Sequence, residues 1–313
     1  MKKNLFKRYK KFLPLIGIII FIITLFFLDL SKIKTSLLSI HPIFIIASLS
    51  LTFPRLIIRN YEWQIIQKEQ KININFWISL KIFLIGYFYG SITPGYFGQL
   101  MRIPYMKEKT NQAYGKIFVN VIIEIIIHSL SLYGMIFIGA IIVFGSFPQI
   151  FYGIVIYLII QTLIIIYFIK KERGEKTFRT LIKYLIPKKL KQDLNKFVNS
   201  FYDDFPKIYR LIPAFIVGIP TWIIIFTQEY IIVIALGLDI PYLYFLLLFP
   251  VANAMGFIPV TFAGLGTREA TSIIIFTVLF GVGKEEVFVF TLLGFVLTEI
   301  GRASCRERVC HRV

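Results

Sequence analysis

Apolar residues dominate this chain in runs as long as whole helices, separated by short polar stretches. Six runs come near or pass the roughly 20 residues that a helix needs to cross the hydrocarbon: Phe12 to Leu30, Pro42 to Ile58, Ile117 to Phe144, Ile150 to Ile169, Leu211 to Leu236 and Pro241 to Ile258. Two further regions, Phe76 to Pro104 and Pro259 to Leu279, are apolar but interrupted by Gly, Pro and charge. Each reads as a pair of half-helices that enters and leaves the membrane on one side. The pattern predicts an all-α fold: a polytopic integral membrane helix bundle with about six to eight spans and two re-entrant broken-helix segments.

The sharpest interruption is Gly90-Ser-Ile-Thr-Pro-Gly-Tyr-Phe-Gly-Gln-Leu-Met-Arg102. Lipid cannot hydrogen-bond a freed amide or carbonyl, so irregular backbone at bilayer depth persists only where protein buries it or where it lines a wet cavity. A pathway through the membrane is the reading that follows.

Composition agrees with this class. Of 313 residues 57% are hydrophobic, with 32 Phe and 17 Tyr, and the mean hydropathy is +0.74, beyond what a soluble domain carries. One membrane domain, 1–298, accounts for the authentic chain. Its only substantial polar segment runs from Lys170 to Arg210. Within that linker (171–210), Phe178, Leu181, Ile182 and Leu185, then Leu190, Leu194, Phe197, Val198 and Phe201, recur at helical spacing, which suggests amphipathic helices on the inner surface, broken at Pro187. Tyr61, Trp63 and Trp77 stand where aromatic interface anchors are expected.

The end of the chain changes two ordinary inferences. Glu299-Ile-Gly-Arg-Ala-Ser-Cys-Arg-Glu-Arg-Val309 looks like the in-frame translation of a common sequencing adapter, so 299–313 is set aside from fold reasoning. Both cysteines, Cys305 and Cys310, lie there. The remainder says nothing about redox compartment and supports no disulfide. The last apolar run, Val287 to Thr298, is too short to span, which suggests that the natural protein continues.

Charge sets the orientation. The formal charge of +18 drops by two without the tail, where four Arg outweigh Glu299 and Glu307. The excess gathers at Lys2, Lys3, Lys7, Arg8, Lys10 and Lys11 and in the linker, and the positive-inside rule puts both in the cytoplasm. Four crossings separate them if Phe76 to Pro104 is re-entrant, and the parity agrees. The first apolar run is longer than a signal-peptide core and lacks a small-residue cleavage site, so it reads as a retained signal anchor. The expected location is the inner or plasma membrane. Basic residues that flank spans answer to topology and anionic headgroups, and no nucleic-acid partner is expected.

Several polar groups fall inside the apolar regions. Arg102 follows the Thr93-Pro94-Gly95 and Gly98-Gln99 breaks; an ionised group at that depth is a functional candidate, its plainer reading being a snorkelling interfacial anchor. Asn120, Glu124 and His128 come four residues apart and stack on one helical face. They could relay protons or bind a cation, or they could satisfy one another and a neighbouring helix. With three His in the chain, no metal site is expected. In Pro259-Val-Thr-Phe-Ala-Gly-Leu-Gly-Thr-Arg268-Glu269, Gly264 and Gly266 permit tight backbone near an anionic group, and the next helix start would aim free amides at it. The segment lacks the Lys-Ser/Thr ending of a nucleotide loop. A plain interhelical turn is the alternative.

The two segments together resemble the paired signatures of the lysylphosphatidylglycerol synthase transmembrane-region family, also called flippase-like. The resemblance rests on Thr93-Pro94-Gly95-x-x-Gly98-x-x-x-Arg102 and on Pro259-x-Thr261-x-Ala-Gly264-x-Gly266-x-Arg268-Glu269, and runs from Phe12 to Thr298. It implies a multi-helix membrane protein that handles lipids, some members moving aminoacylated phospholipid between leaflets. The chain departs from many relatives at Gln99, where they carry an acidic residue, and at Glu124, Ile125 and His128, where they carry Glu-Arg followed by Asp. It also lacks the soluble aminoacyltransferase domain of bifunctional relatives.

The leading expectation is a lipid translocator whose broken segments face one another across a cavity. Arg102 and Arg268 would contact phosphate, and Glu124 and Glu269 would pair with them or with a cationic headgroup. Gly95, Gly98, Gly264 and Gly266 would allow close approach, and Glu124 and His128, with Asn120 beside them, would couple protons or ions. No cofactor is expected, and no catalytic constellation is visible. The alternatives are a membrane-embedded transferase acting on a lipid carrier and a scaffold subunit of envelope-lipid enzymes. Expected partners are a membrane phospholipid or lipid-linked substrate, with a homo-oligomer or an envelope enzyme as further possibilities. Reporter fusions at the N-terminus and within the linker should both register the cytoplasm. An external signal from the linker beside an internal N-terminus would reject the re-entrant reading of Phe76 to Pro104.

Overall fold

The computed structural model describes residues 13–91, 93–143, 148–169, 173–177, 198–199, 203, 205–255 and 264–303. Among these the regular structure is helical throughout, with no strand. The order is α1 (Leu13–Phe26), α2 (Leu30–Ser39), α3 (Pro42–Ser50), α4 (Thr52–Glu69), α5 (Phe76–Ser91), a 3-10 segment (Pro94–Met101), α6 (Arg102–Thr110), α7 (Tyr114–Val143), α8 (Pro148–Ile169), a 3-10 turn (Ile208–Leu211), α9 (Ile212–Ala235), α10 (Tyr242–Ala254), α11 (Thr267–Phe280) and α12 (Lys284–Ala303).

This is the expected all-α membrane bundle, with several boundaries moved. Among the described residues three helical stretches are long and apolar enough to cross a membrane: Pro42–Glu69, Tyr114–Ile141 and Ile208–Ala235, each of 28 residues. The other expected spans correspond to shorter apolar helices, such as Gly17–Phe26 and Tyr242–Ala254. The first run stops at Phe26, and the Asp29 carboxylate caps an unexpected helix, α2, by accepting from Ser31 and Lys32 N–H at 2.9 and 3.3 Å. The second run does not end at Ile58. It continues to Glu69 because Arg59, Asn60, Glu62, Gln64 and Gln67 are buried and paired by protein instead of passing into water. Residues 256–263, including Pro259 and Thr261 of the second signature, and most of the 171–210 linker lie outside the described residues.

The helices fall into two compact units, one formed by Met1–Ile57, Phe83–Gln99 and Pro220–Val313, the other by Ile58–Ile82 and Leu100–Ile219. In the first, α10, α11 and α12 pack in succession, α12 also meets α2 and α3, and α1 lies on α11. Its core is a phenylalanine cluster: Phe245 stacks on Phe249 with centroids 4.9 Å apart, and both touch Phe276 and Phe290. Offset and edge-on rings let such side chains fill space without polar atoms. In the second unit α7 packs on α6 and α8, and Ile66, Val119, Ile123, Ile127, Leu211 and Ala214 bury one another. The outward faces stay apolar, as Ile19, Ile23 and Phe26 on α1 and Ile156, Ile159 and Leu163 on α8 show; lipid is the solvent that suits them.

Glycine permits one close helix contact in the first unit. Gly266 has φ of +88°, and a Cβ there would run into the Gly17 carbonyl oxygen and, at 2.8 Å, the Phe21 nitrogen of α1. Gly266→Ala therefore combines left-handed strain of about 1–2 kcal/mol with overpacking of about 1–3 kcal/mol. Thermal unfolding of the purified protein in detergent should show a clear drop in Tm, whereas Gly153→Ala, which meets nothing within 4 Å, should leave it unchanged.

Candidate functional site

Arg59 and Glu62 stand one turn apart on α4, Trp63 continues that side of the helix, and Gln70 follows directly after its end. From α7, Asn120, Glu124 and His128 project along one face, spaced by four. Arg102 opens α6, directly after the 3-10 segment. All belong to the second unit. Every one of these side chains but His128, which is partly exposed, is buried.

The structure joins them into one chain of charges. Arg102 Nη2 lies 2.6 Å from Glu124 Oε2. The other Glu124 oxygen meets Arg59. Arg59 Nη1 in turn reaches Glu62 Oε2 at 2.9 Å, and His128 Nδ1 lies 3.2 Å from the same oxygen. Two carboxylates thus alternate with two guanidiniums, and the imidazole closes the row. A neutral amide layer sits beside it: Trp63 Nε1 donates to Asn120 Oδ1 at 2.8 Å, and Asn120 Nδ2 donates to Gln70 Oε1 at 2.8 Å. The Arg102 guanidinium rests 4.8 Å from the Trp63 ring centroid, a cation–π contact that strengthens where water is excluded.

These positions change several expectations. Trp63 is no interface anchor; it is fully buried at the centre of the network, whereas Tyr61 is 48% exposed and Trp77 59% exposed. Arg102 does not snorkel, since none of its surface is exposed. Asn120, Glu124 and His128 find their partners on α4 and α6. Arg59 and Glu62 lie just beyond Ile58, where the purely apolar run ends, so hydropathy alone leaves them outside the span. Their signal is the spacing of Arg55, Arg59 and Glu62, which places all three on one helical face.

The first unit holds the second signature. Gly264 has φ of +85°, and its carbonyl accepts from Arg268 N–H at 2.9 Å and Thr267 Oγ1 at 3.1 Å. Glu269 reaches back to the Gly266 N–H at 2.6 Å, as a capping carboxylate does. Its other oxygen accepts from Arg268 Nη2 at 2.7 Å. The same nitrogen donates to the Thr291 carbonyl at 3.3 Å, and the guanidinium lies 4.3 Å from the Phe295 centroid. Arg268 and Glu269 are thus each other's partners. Two further buried polar groups stand in this unit, Gln228 and Glu229. Gln228 binds Arg55 at 2.7 Å and the Ser48 carbonyl at 2.8 Å, and Glu229 lies against Gly294. Both lie in plain view within the apolar run Leu211 to Leu236.

In the first signature Gly95 belongs to the 3-10 segment. The Gly98 N–H donates to Thr93 Oγ1 at 2.7 Å, and a Cβ on Gly98 would collide with the Tyr89 carbonyl. The closeness that this glycine allows is to the end of α5. Beside the second unit's network, a cleft of about 330 Å³ opens among Gln64, Gln67, Lys68 and residues 72–75.

Glu124 neutralises two arginines at once, and removing one partner of a buried ion pair costs about 3–5 kcal/mol because the other is left uncompensated. Glu124→Gln should therefore lower Tm strongly in detergent. Adding Arg102→Gln to that variant should restore part of the loss, and a double variant no better than the single would show that the pair is not coupled.

No curated protein and no solved structure matches this chain. The family model described as the lysylphosphatidylglycerol synthase TM region matches residues 15–301, which include both signatures and the charged side chains of both clusters described above. The chain belongs to the lysylphosphatidylglycerol synthase TM-region family and is a membrane protein of lipid metabolism or transport.

Proposed function

We propose that this protein moves a phospholipid between leaflets, binding a headgroup that carries both a phosphate and a cationic group. The observation that carries the reading is the row Arg102, Glu124, Arg59, Glu62, buried at the point where the backbone breaks. Ionisable groups inside a membrane are costly and line substrate or ion paths. The row is balanced when His128 is neutral. A headgroup with one charge would leave a buried ion uncompensated, whereas one with both can replace Arg102–Glu124 by phosphate on Arg102 and cation on Glu124.

Arg268 with Glu269 offers the same exchange in the first unit. The tails would remain in lipid beside the apolar outer faces. No step of bond making is assigned to the chain. His128 beside Glu62 is the proposed point at which a proton would enter the network. The N-terminus and the linker are assigned to the cytoplasmic side. The contact of Arg210, at the linker's end, with Glu69 at 3.8 Å supports a shared side for the linker and the end of α4.

The test uses the full chain in phosphatidylcholine vesicles doped with acyl-labelled phosphatidylethanolamine or phosphatidylglycerol, with outer-leaflet label quenched chemically. Wild-type protein should make the inner-leaflet label accessible, with preference for the amine-bearing lipid. Arg102→Leu or Arg268→Leu should abolish this without loss of protein from the vesicles. Either Arg→Lys change should be partly active, since Lys keeps the charge but not the planar fork. Normal movement by both Leu variants at equal abundance would overturn the assignment.

A further inference from the structure

From its first long apolar helix to Arg102, the chain repeats itself at an offset of 166 residues. Pro42–Glu69 and Ile208–Ala235, the first and last of the three long apolar stretches, have the same length and are followed at equal distances by α5 from Phe76 and α10 from Tyr242. Arg102 and Arg268 come next, again 166 apart. Pro54 and Pro220, Phe83 and Phe249, Gly90 and Gly256, and Gly98 and Gly264 match at the same offset.

Backbone geometry repeats with the sequence. The first long helix ends with Lys71 at φ +55°, the other with Gly237 at φ +66°. Ile72 N–H bonds the Gln67 carbonyl at 2.8 Å and Lys71 N–H the Lys68 carbonyl at 2.9 Å; Leu238 bonds Val233 at 3.2 Å and Gly237 bonds Ile234 at 2.9 Å. Both are the same Schellman ending, residue for residue. The next helix is about one turn longer in the second copy, and thereafter the offset is 170: Asn111 and Gly281 are left-handed caps, and α7 and α12 begin at Tyr114 and Lys284.

The two copies run in opposite directions. The end of the first long helix lies beside the start of the second, through Glu69 with Arg210 and Ile66 with Leu211 and Ala214. Its start lies beside the other's end, where Ser48 Oγ donates to the Gln228 carbonyl at 3.0 Å.

We infer that the chain is an inverted-topology repeat with one headgroup site per copy, and that Glu229 is the second copy's counterpart of Glu124. At the shared offsets Trp63 corresponds to Glu229, and Glu124 corresponds to Gly294. The carboxylate has changed helices. A Cβ on Gly294 would strike the Glu229 carboxylate, so the space into which Glu124 projects in the first copy is filled in the second by Glu229 from α9. The aromatic ring moved as well: Arg102 rests on Trp63, whereas Arg268 rests on Phe295, next to Gly294. Inverted repeats of this kind are the arrangement from which alternating access is built. The assignment of a headgroup to these sites rests on the function proposed above; the repeat and its inversion do not.

The inversion is tested by labelling. In a chain carrying Cys305→Ser and Cys310→Ser, single cysteines are placed at the equivalent exposed positions Asn73 and Asp239. A membrane-impermeant maleimide should label Asn73→Cys only in inside-out vesicles and Asp239→Cys only in right-side-out vesicles. Labelling of both from one side would overturn the inversion. The exchanged carboxylate is tested by Glu229→Ala, which should lower Tm and reduce label movement by about tenfold, within the range for coupled neighbours. Gly294→Glu added to it should restore both readouts. A folded double variant no better than Glu229→Ala in either would overturn the correspondence. Absence of lipid movement in wild-type protein would remove the translocator reading while leaving the labelling and Tm outcomes to decide the repeat.

Discussion

One carboxylate holds the second unit's interior in place. Glu124 lies between Arg59 and Arg102, so its two oxygens bring together α4, α6 and α7 in the position where their charges cancel. In a medium that cannot solvate ions, a pair that is even slightly apart is expensive, and the geometry of the row follows from that penalty. Glu62 extends it to His128, and Trp63 and Asn120 cover it with a ring and an amide. The polar half of α4 stays helical and buried because each of these groups has somewhere to bond.

Broken backbone and small residues serve the same end. The 3-10 segment from Pro94 to Met101 delivers Arg102 to Glu124 at the first turn of α6, and Gly98 lets that segment lie on the end of α5. In the first unit Gly266 lets the start of α11 meet α1, and Glu269 ties the same turn to Arg268. Each arginine is thus positioned by a helix start and neutralised by a glutamate within reach.

The repeated architecture places these two starts in a common plan. Corresponding helices have diverged where they face their own arginine, trading Trp63 and Glu124 for Glu229 and Gly294, but they keep the Schellman ending and the helix that follows it. Conserving charge balance while changing which helix supplies the carboxylate is a substitution that packing permits only when a glycine opens opposite the new side chain.

The amino-acid pattern by itself determined the class: apolar runs of membrane length, basic flanks, two interrupted segments and two arginines within signatures are all local properties of the sequence. It also placed Asn120, Glu124 and His128 on one helical face, because a spacing of four needs no tertiary contact to interpret. Tertiary structure alone decided what those groups meet. The reach of α4 to Glu69, the burial of Trp63 and the roles of Arg59 and Glu62 depend on partners that other elements bring, as in the Trp63–Asn120 and Glu62–His128 bonds, between residues 57 and 66 positions apart. Hydropathy scores a polar side chain by its own cost of leaving water; whether that cost is offset is a property of the neighbours that folding supplies.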